Sequence, residues 1–215
     1  MFYFCLLLLF AIYVLLRISY EDNSSIYDIN DTGMDFFHSI EYVNGLSPYK
    51  TFNTLYPPLA NLLFFGLFHC IPTSVSNNWP VDFIESVHMR TTHLDLRVNQ
   101  APLLIYFVFI MLCVYMIIVL AQSQMEDQSL YVKRLVSFNA VFSYGILMAI
   151  ERGNILLITV PLTMFFVFYR NSDNKLVKEI SFIALAIAAG LKVYPAIFGL
   201  LLKKKTKRIS NECLR

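Results

Sequence analysis

The chain reads as an all-α polytopic membrane protein with about six transmembrane helices and a long first extracytoplasmic loop. Three observations predict this class. Only 15% of the 215 residues are charged and 57% are hydrophobic, where a soluble domain carries roughly a quarter charged residues. The deficit is concentrated in charge-free windows. The cleanest, residues 101–121, meets the roughly 20 apolar residues that a span requires. Finally, an acidic segment over residues 19–56 is held between apolar ones. The whole reads as a single membrane domain over 1–215.

Residues 2–16 are almost uniformly apolar and follow the first methionine directly. They lack the basic leader and small-residue cleavage site of a secretory signal, so residues 1–18 are assigned to a first span, with Arg17 and Tyr20 marking the interface. The loop over 19–56 carries Glu21, Asp22, Asp28, Asp31, Asp35 and Glu41 against a single Lys50. Asp28, Asp31 and Asp35 recur at a spacing that puts them on one helical face. Phe36, Phe37, Ile40 and Val43 form an apolar stripe on the same stretch. Such a helix would lie in the interface plane with its apolar side in lipid; a solvated acidic loop is the competing reading.

The remaining spans are expected within 57–202. Pro57 and Pro58 suit the first turn of a helix, whose N–H groups have no intrahelical partner; it runs to about Ile71, where Pro72 interrupts it. Residues 74–98 and 123–134 are polar connections. The apolar run 135–150, containing Asn139, Ser143 and Gly145, is short for a crossing and ends in Glu151-Arg152-Gly153-Asn154. A further run covers 155–169, and 170–179 is polar. The last span, 180–202, has a small-residue face at Ala184, Ala188 and Ala189 suited to close packing. It contains Lys192, followed by Val193-Tyr194-Pro195, and a basic tail over 203–215 completes the chain.

With the N-terminus inside, the basic tail falls in the cytoplasm, as the positive-inside rule favours, and the acidic loop faces outward. Strict alternation then puts Lys133, Arg134, Arg170, Lys175 and Lys178 on the acidic loop's side and Arg152 opposite Asp35. A broken or re-entrant helix over 135–150 would instead hold the Arg-Gly-Asn turn within the membrane.

Several function classes are excluded. A net charge of +2 gives no footprint for nucleic acid. Cys5, Cys70, Cys113 and Cys213 are scattered without a Cys-x-x-Cys pair, and the four histidines show no ligand spacing. Neither a disulfide framework nor a metal site is indicated, and no cofactor is implied. There is no Gly-rich phosphate loop, so a phosphate substrate would belong to a lipid rather than a soluble nucleotide.

Two basic groups interrupt the apolar half. Lys192 lies about twelve residues into its expected span, roughly 18 Å along a helix. An ammonium there is costly and by default faces a polar cavity or an anion, with snorkelling to the interface as the alternative. Arg152 serves either in function or as an interfacial anchor paired with Glu151. Cations within the bilayer and carboxylates at its outer surface suit transfer from a lipid-linked phosphate. The cations neutralise the phosphate, and a carboxylate acts as base on an acceptor hydroxyl.

Asp35 in the first loop is followed by Gly-Leu-Ser-Pro-Tyr (45–49), Tyr-Pro-Pro-Leu-Ala-Asn-Leu-Leu-Phe (56–64), Glu-Arg-Gly-Asn (151–154) and Lys-Val-Tyr-Pro (192–195). In this order they resemble the GT-C superfamily of polyprenyl-phosphate-sugar-dependent glycosyltransferases, specifically bacterial glycosyltransferase family 87. They are also similar to GPI mannosyltransferase I. The resemblance implies a GT-C membrane fold without metal and an inverting transfer. The sugar, mannose or arabinofuranose, would pass from a polyprenyl-phosphate donor to a glycan or lipid acceptor. It implies Asp35 as the base, with Asp31 as the alternative. Lys192 and Arg152 would be donor-phosphate or packing groups, and Tyr194 an interface partner. Family members continue beyond the Lys-x-Tyr-Pro helix, so a C-terminal truncation is expected. The alternative function is a catalytically incomplete paralogue or a membrane subunit without its own activity.

Overall fold

The computed structural model describes residues 4–5, 7–9, 11–12, 33–43, 49, 54–72 and 100–202. The alternative base Asp31, the carboxylates Asp28 and Glu21, most of the 45–49 turn, the connection 73–99 and the basic tail lie outside the described residues. The elements, in order, are α1 (Met34–Tyr42), α2 (Pro58–His69), α3 (Gln100–Ser123), α4 (Leu130–Val141), α5 (Tyr144–Arg152), α6 (Leu156–Tyr169), α7 (Lys175–Leu191) and a 3-10 helix (Tyr194–Leu202). The fold is all-helical, with no strand among the described residues.

Helix α1 begins at Gly33, whose φ of +70° suits glycine and whose carbonyl accepts from the Phe36 and Phe37 N–H groups. The stripe Phe36, Phe37, Ile40 and Val43 is no more than 2% exposed. Its rings pack on protein: Phe36 meets Phe64 of α2 and Tyr106 and Phe109 of α3. The expectation of an apolar side lying in lipid is therefore corrected. Each such side chain contributes about 2 kcal/mol of burial, enough to fix this short helix against α2 and α3.

Two expected apolar runs are broken rather than continuous. In the first, α4 starts at Leu130, where the Ser129 side chain accepts from Val132 N–H, so the polar connection is shorter than 123–134. The chain leaves the helix at Phe142-Ser143, and the Ser143 carbonyl then accepts from Ile146 and Leu147 to start α5. In the second, α7 ends at Leu191 and Lys192 is extended (φ −151°, ψ 132°). Pro195 has no N–H for the Leu191 carbonyl and its ring would clash there, so the span expected over 180–202 divides at Lys192. Helices α6 and α7 make the most extensive contact, with Ser181, Ala184 and Ala188 buried on α7.

Among the described residues, α3 is the one helix long and apolar enough to cross a membrane. α2 and α6 are apolar but have 12 and 14 residues, about 18 and 21 Å at 1.5 Å per residue.

Helix direction corrects the strict alternation expected for the charges. α6 runs away from Asn154 and α7 returns to Lys192. α3 likewise runs away from Tyr106, which sits under the end of α5, and α4–α5 returns. Lys133, Arg134, Arg170, Lys175 and Lys178 thus lie at the end of the bundle opposite Asp35. Arg152 lies at Asp35's own end.

Candidate functional site

The site is built on the end of α5. Gly153 takes the left-handed conformation (φ +66°), and the chain reverses with Gly153 N–H on the Ile150 carbonyl (3.1 Å) and Asn154 N–H on the Ala149 carbonyl (2.8 Å). This is the glycine-terminated helix end that satisfies the last carbonyls. The Tyr106 hydroxyl also donates to the Ile150 carbonyl. The next carbonyl, of Glu151, accepts from Gly33 N–H at 2.6 Å. That bond fixes the first turn of α1 against the last turn of α5, and Asp35 lies in that first turn, where the helix dipole favours a negative charge.

Three residues from different parts of the sequence meet there. Asp35 Oδ2 accepts from Asn154 Nδ2 at 2.6 Å, and Asp35 Oδ1 lies 3.7 Å from Arg152 Nη2. Asn154 Oδ1 in turn accepts from Lys192 Nζ and from Leu156 N–H, both at 2.9 Å. The amide orientation follows from its partners: a carboxylate demands the NH₂ side, and an ammonium and a peptide N–H demand the oxygen. Lys192 sits at the break between α7 and the 3-10 helix, not within a continuous span.

Asp35 and Lys192 line one open cavity of about 710 Å³, with His38, Tyr42, Tyr56 and Tyr194 among its other walls. That volume is within the range of small-molecule sites. Arg152 and Asn154 are not lining residues; they hold Asp35 from behind. The Ser39 hydroxyl donates to the Asp35 main-chain carbonyl, completing the fixation of that turn.

Tyr56 enters from the turn before α2. Its carbonyl accepts from the Tyr49 hydroxyl at 2.9 Å and its N–H donates to Thr54 Oγ1 at 3.3 Å. Burial, and then the charge of Asp35, push its phenol above the ordinary tyrosine range, with Arg152 opposing. The phenol therefore stays protonated and offers the cavity an O–H donor. Tyr194 lies at a border. Its hydroxyl pairs with Thr159 Oγ1 at 2.8 Å, and beyond it a second cavity of about 260 Å³ is walled by Val160, Met164, Val167, Phe168 and Phe198.

Of the residues expected from sequence, Asp35, Arg152, Lys192 and Tyr194 are brought to one end of the bundle, three of them around the same cavity. Asp31 lies outside the described residues. Asn154 and Tyr56 carry the site as well, and sequence reading gave them no role. The signal for Asn154 was its place just after a helix-ending glycine and just before an apolar run, where a side-chain acceptor serves the next helix. Gly33 had no signal, because its partner carbonyl is 118 residues away in the chain (Gly33 to Glu151). No protein family, curated protein or solved structure matches this chain.

Proposed function

We propose that this chain is a membrane glycosyltransferase that moves a sugar, mannose or a similar hexose or pentose, from a polyprenyl-phosphate donor to a lipid- or polysaccharide-linked acceptor. One observation carries the reading: the Asp35 carboxylate and the Lys192 ammonium stand on the wall of one cavity, each oriented by the same Asn154 amide. A base and an anion-binding cation facing one cavity are what this reaction needs.

In the proposed step Asp35 takes the proton of the acceptor hydroxyl. The hydroxyl oxygen attacks the anomeric carbon from the face opposite the phosphate. The bond from that carbon to the phosphate oxygen breaks, and polyprenyl phosphate leaves with the electron pair. Lys192 offsets the charge that grows on the leaving phosphate, and the Tyr56 hydroxyl is a second donor at the cavity wall. The fixed carboxylate costs no reorientation in the transition state. The apolar cavity beyond Tyr194 suits the isoprenoid part of such a donor.

The membrane reading takes α3 as a full crossing, with the α4–α5 pair, α6 and α7 crossing in alternation after it and the break at Lys192 lying on the polar cavity. Broken helices at membrane depth are tolerated where they line such a cavity. Leu104, Val108, Leu112, Tyr115 and Val119 are all exposed at three- and four-residue spacings along α3, a stripe suited to lipid. Five of the seven described Lys and Arg residues gather at the end opposite Asp35, so the positive-inside rule turns that end to the cytoplasm. Asp35 then faces outward from a bacterial inner membrane.

The reading is tested by supplying membranes that contain the chain with a polyprenyl-phosphate sugar carrying a radiolabel. Label entering a membrane-bound acceptor supports it. A folded, inserted chain that transfers no label from any such donor leaves the reading of a subunit without its own activity.

A further inference from the structure

We infer that Asn154 is a positioning residue that keeps Asp35 and Lys192 from closing on each other as a direct ion pair; the inference rests on the transfer reaction proposed above. A carboxylate and an ammonium on one half-buried wall attract each other strongly. Left alone they would neutralise each other. The carboxylate would then be closed to an acceptor hydroxyl and the ammonium closed to an anion.

Asn154 occupies the space between them. Its amide donates to Asp35 on one side and accepts from Lys192 on the other. Its backbone cannot drift: the N–H is bound to the Ala149 carbonyl, the residue before it is the left-handed Gly153, and the next residues begin α6. Few side chains fit this position. Aspartate can only accept in its ionised form and would repel Asp35. Serine is too short to reach both partners, and glutamine adds a methylene to a rigid turn.

A merely structural role is the competing account, since Asn154 Oδ1 also accepts from Leu156 N–H at the start of α6. Serine serves that helix-starting role about as well as asparagine, so it separates the two accounts. The readout is zero-length cross-linking by a water-soluble carbodiimide, which joins a carboxylate to an amine only where the two touch. The full chain is treated in membranes, digested, and analysed by mass spectrometry for the peptide pair joined through Asp35 and Lys192. Lys192→Arg supplies the blank.

The inference expects little of this cross-link in the wild-type chain. It expects a rise of at least about tenfold in Asn154→Ser, and likewise in Asn154→Ala, with both variants inserted and unfolding within a few degrees of wild type. Strong cross-linking in the wild-type chain, or no rise in the serine variant, overturns it. The result does not depend on sugar transfer. A chain that shows the rise but transfers no sugar would sink the proposed reaction and leave the role of Asn154 standing.

Discussion

Gly153 lies so close to Phe36 that a Cβ added to it would sit 2.6 Å from the Phe36 Cβ and 2.9 Å from Tyr106 Cε2. The two contacts are to a backbone-anchored carbon and to a buried ring, so neither can yield cheaply. With φ at +66°, a side chain here is strained as well. Gly153→Ala is expected to destabilise the chain by about 2–4 kcal/mol, combining left-handed strain with overpacking. It should also push Arg152 and Asn154 away from Asp35. Thermal unfolding in detergent reads the first effect, and loss of transfer beyond the loss of folded protein reads the second. An alanine variant that unfolds with wild type would mean that α1 does not dock against α5 as described.

Lys192 is expected to act through its charge. Lys192→Met should raise the KM for the donor by at least about tenfold, a loss of roughly 1.4 kcal/mol or more in binding the phosphate. Lys192→Arg should do less, although a planar guanidinium is not a compact ammonium. Equal and mild effects of the two would assign Lys192 to packing alone.

Tyr56→Phe isolates the phenol. The ring stays packed on Phe64, so stability should change little, whereas turnover should fall by about tenfold if one hydrogen bond of about 1–2 kcal/mol is made in the transition state. Unchanged turnover would remove Tyr56 from the site.

The helix starts and several residues at the cavity end of the bundle were legible in the sequence for local reasons. Pro57-Pro58 marks the beginning of α2, and Glu-Arg-Gly-Asn marks the end of α5, because proline and glycine act on the backbone where they stand. Lys192-Val-Tyr-Pro carried a second local signal, the proline that ends α7. It was obscured by the unbroken apolar composition around it, which reads as one long span. What the sequence could not supply was the meeting of distant segments. The Phe36, Phe37, Ile40 and Val43 stripe has the same pattern whether it faces lipid or protein. Its burial against Phe64 and Tyr106 depends on where α2 and α3 lie. For the same reason the side of Arg152 stayed open between strict alternation and a broken helix: counting spans assumes that every apolar run crosses fully, and the break at Phe142-Ser143 is a tertiary feature.

The orientation has its own test. In a background without native cysteines, single cysteines are placed at Ser47 and at Ser172, which follows α6 at the end opposite Asp35. An impermeant thiol reagent should label Ser47→Cys in intact cells and Ser172→Cys only after permeabilisation. The reverse pattern would turn the Asp35 cavity to the cytoplasm and remove the expected donor face.

The most direct measurement of the whole account is sugar transfer by Asp35→Asn. The amide keeps the size of the side chain and can still be held at the end of α5, but it cannot take a proton from the acceptor. Radiolabelled transfer from a polyprenyl-phosphate donor should fall by about 10²–10⁴-fold, the usual contribution of a general base, with the protein still inserted and folded. Asp31→Asn and Glu41→Gln, measured alongside, should each lose far less. Transfer by Asp35→Asn within a few fold of wild type would contradict the account, because the carboxylate that Arg152 and Asn154 hold in place would then not be the base.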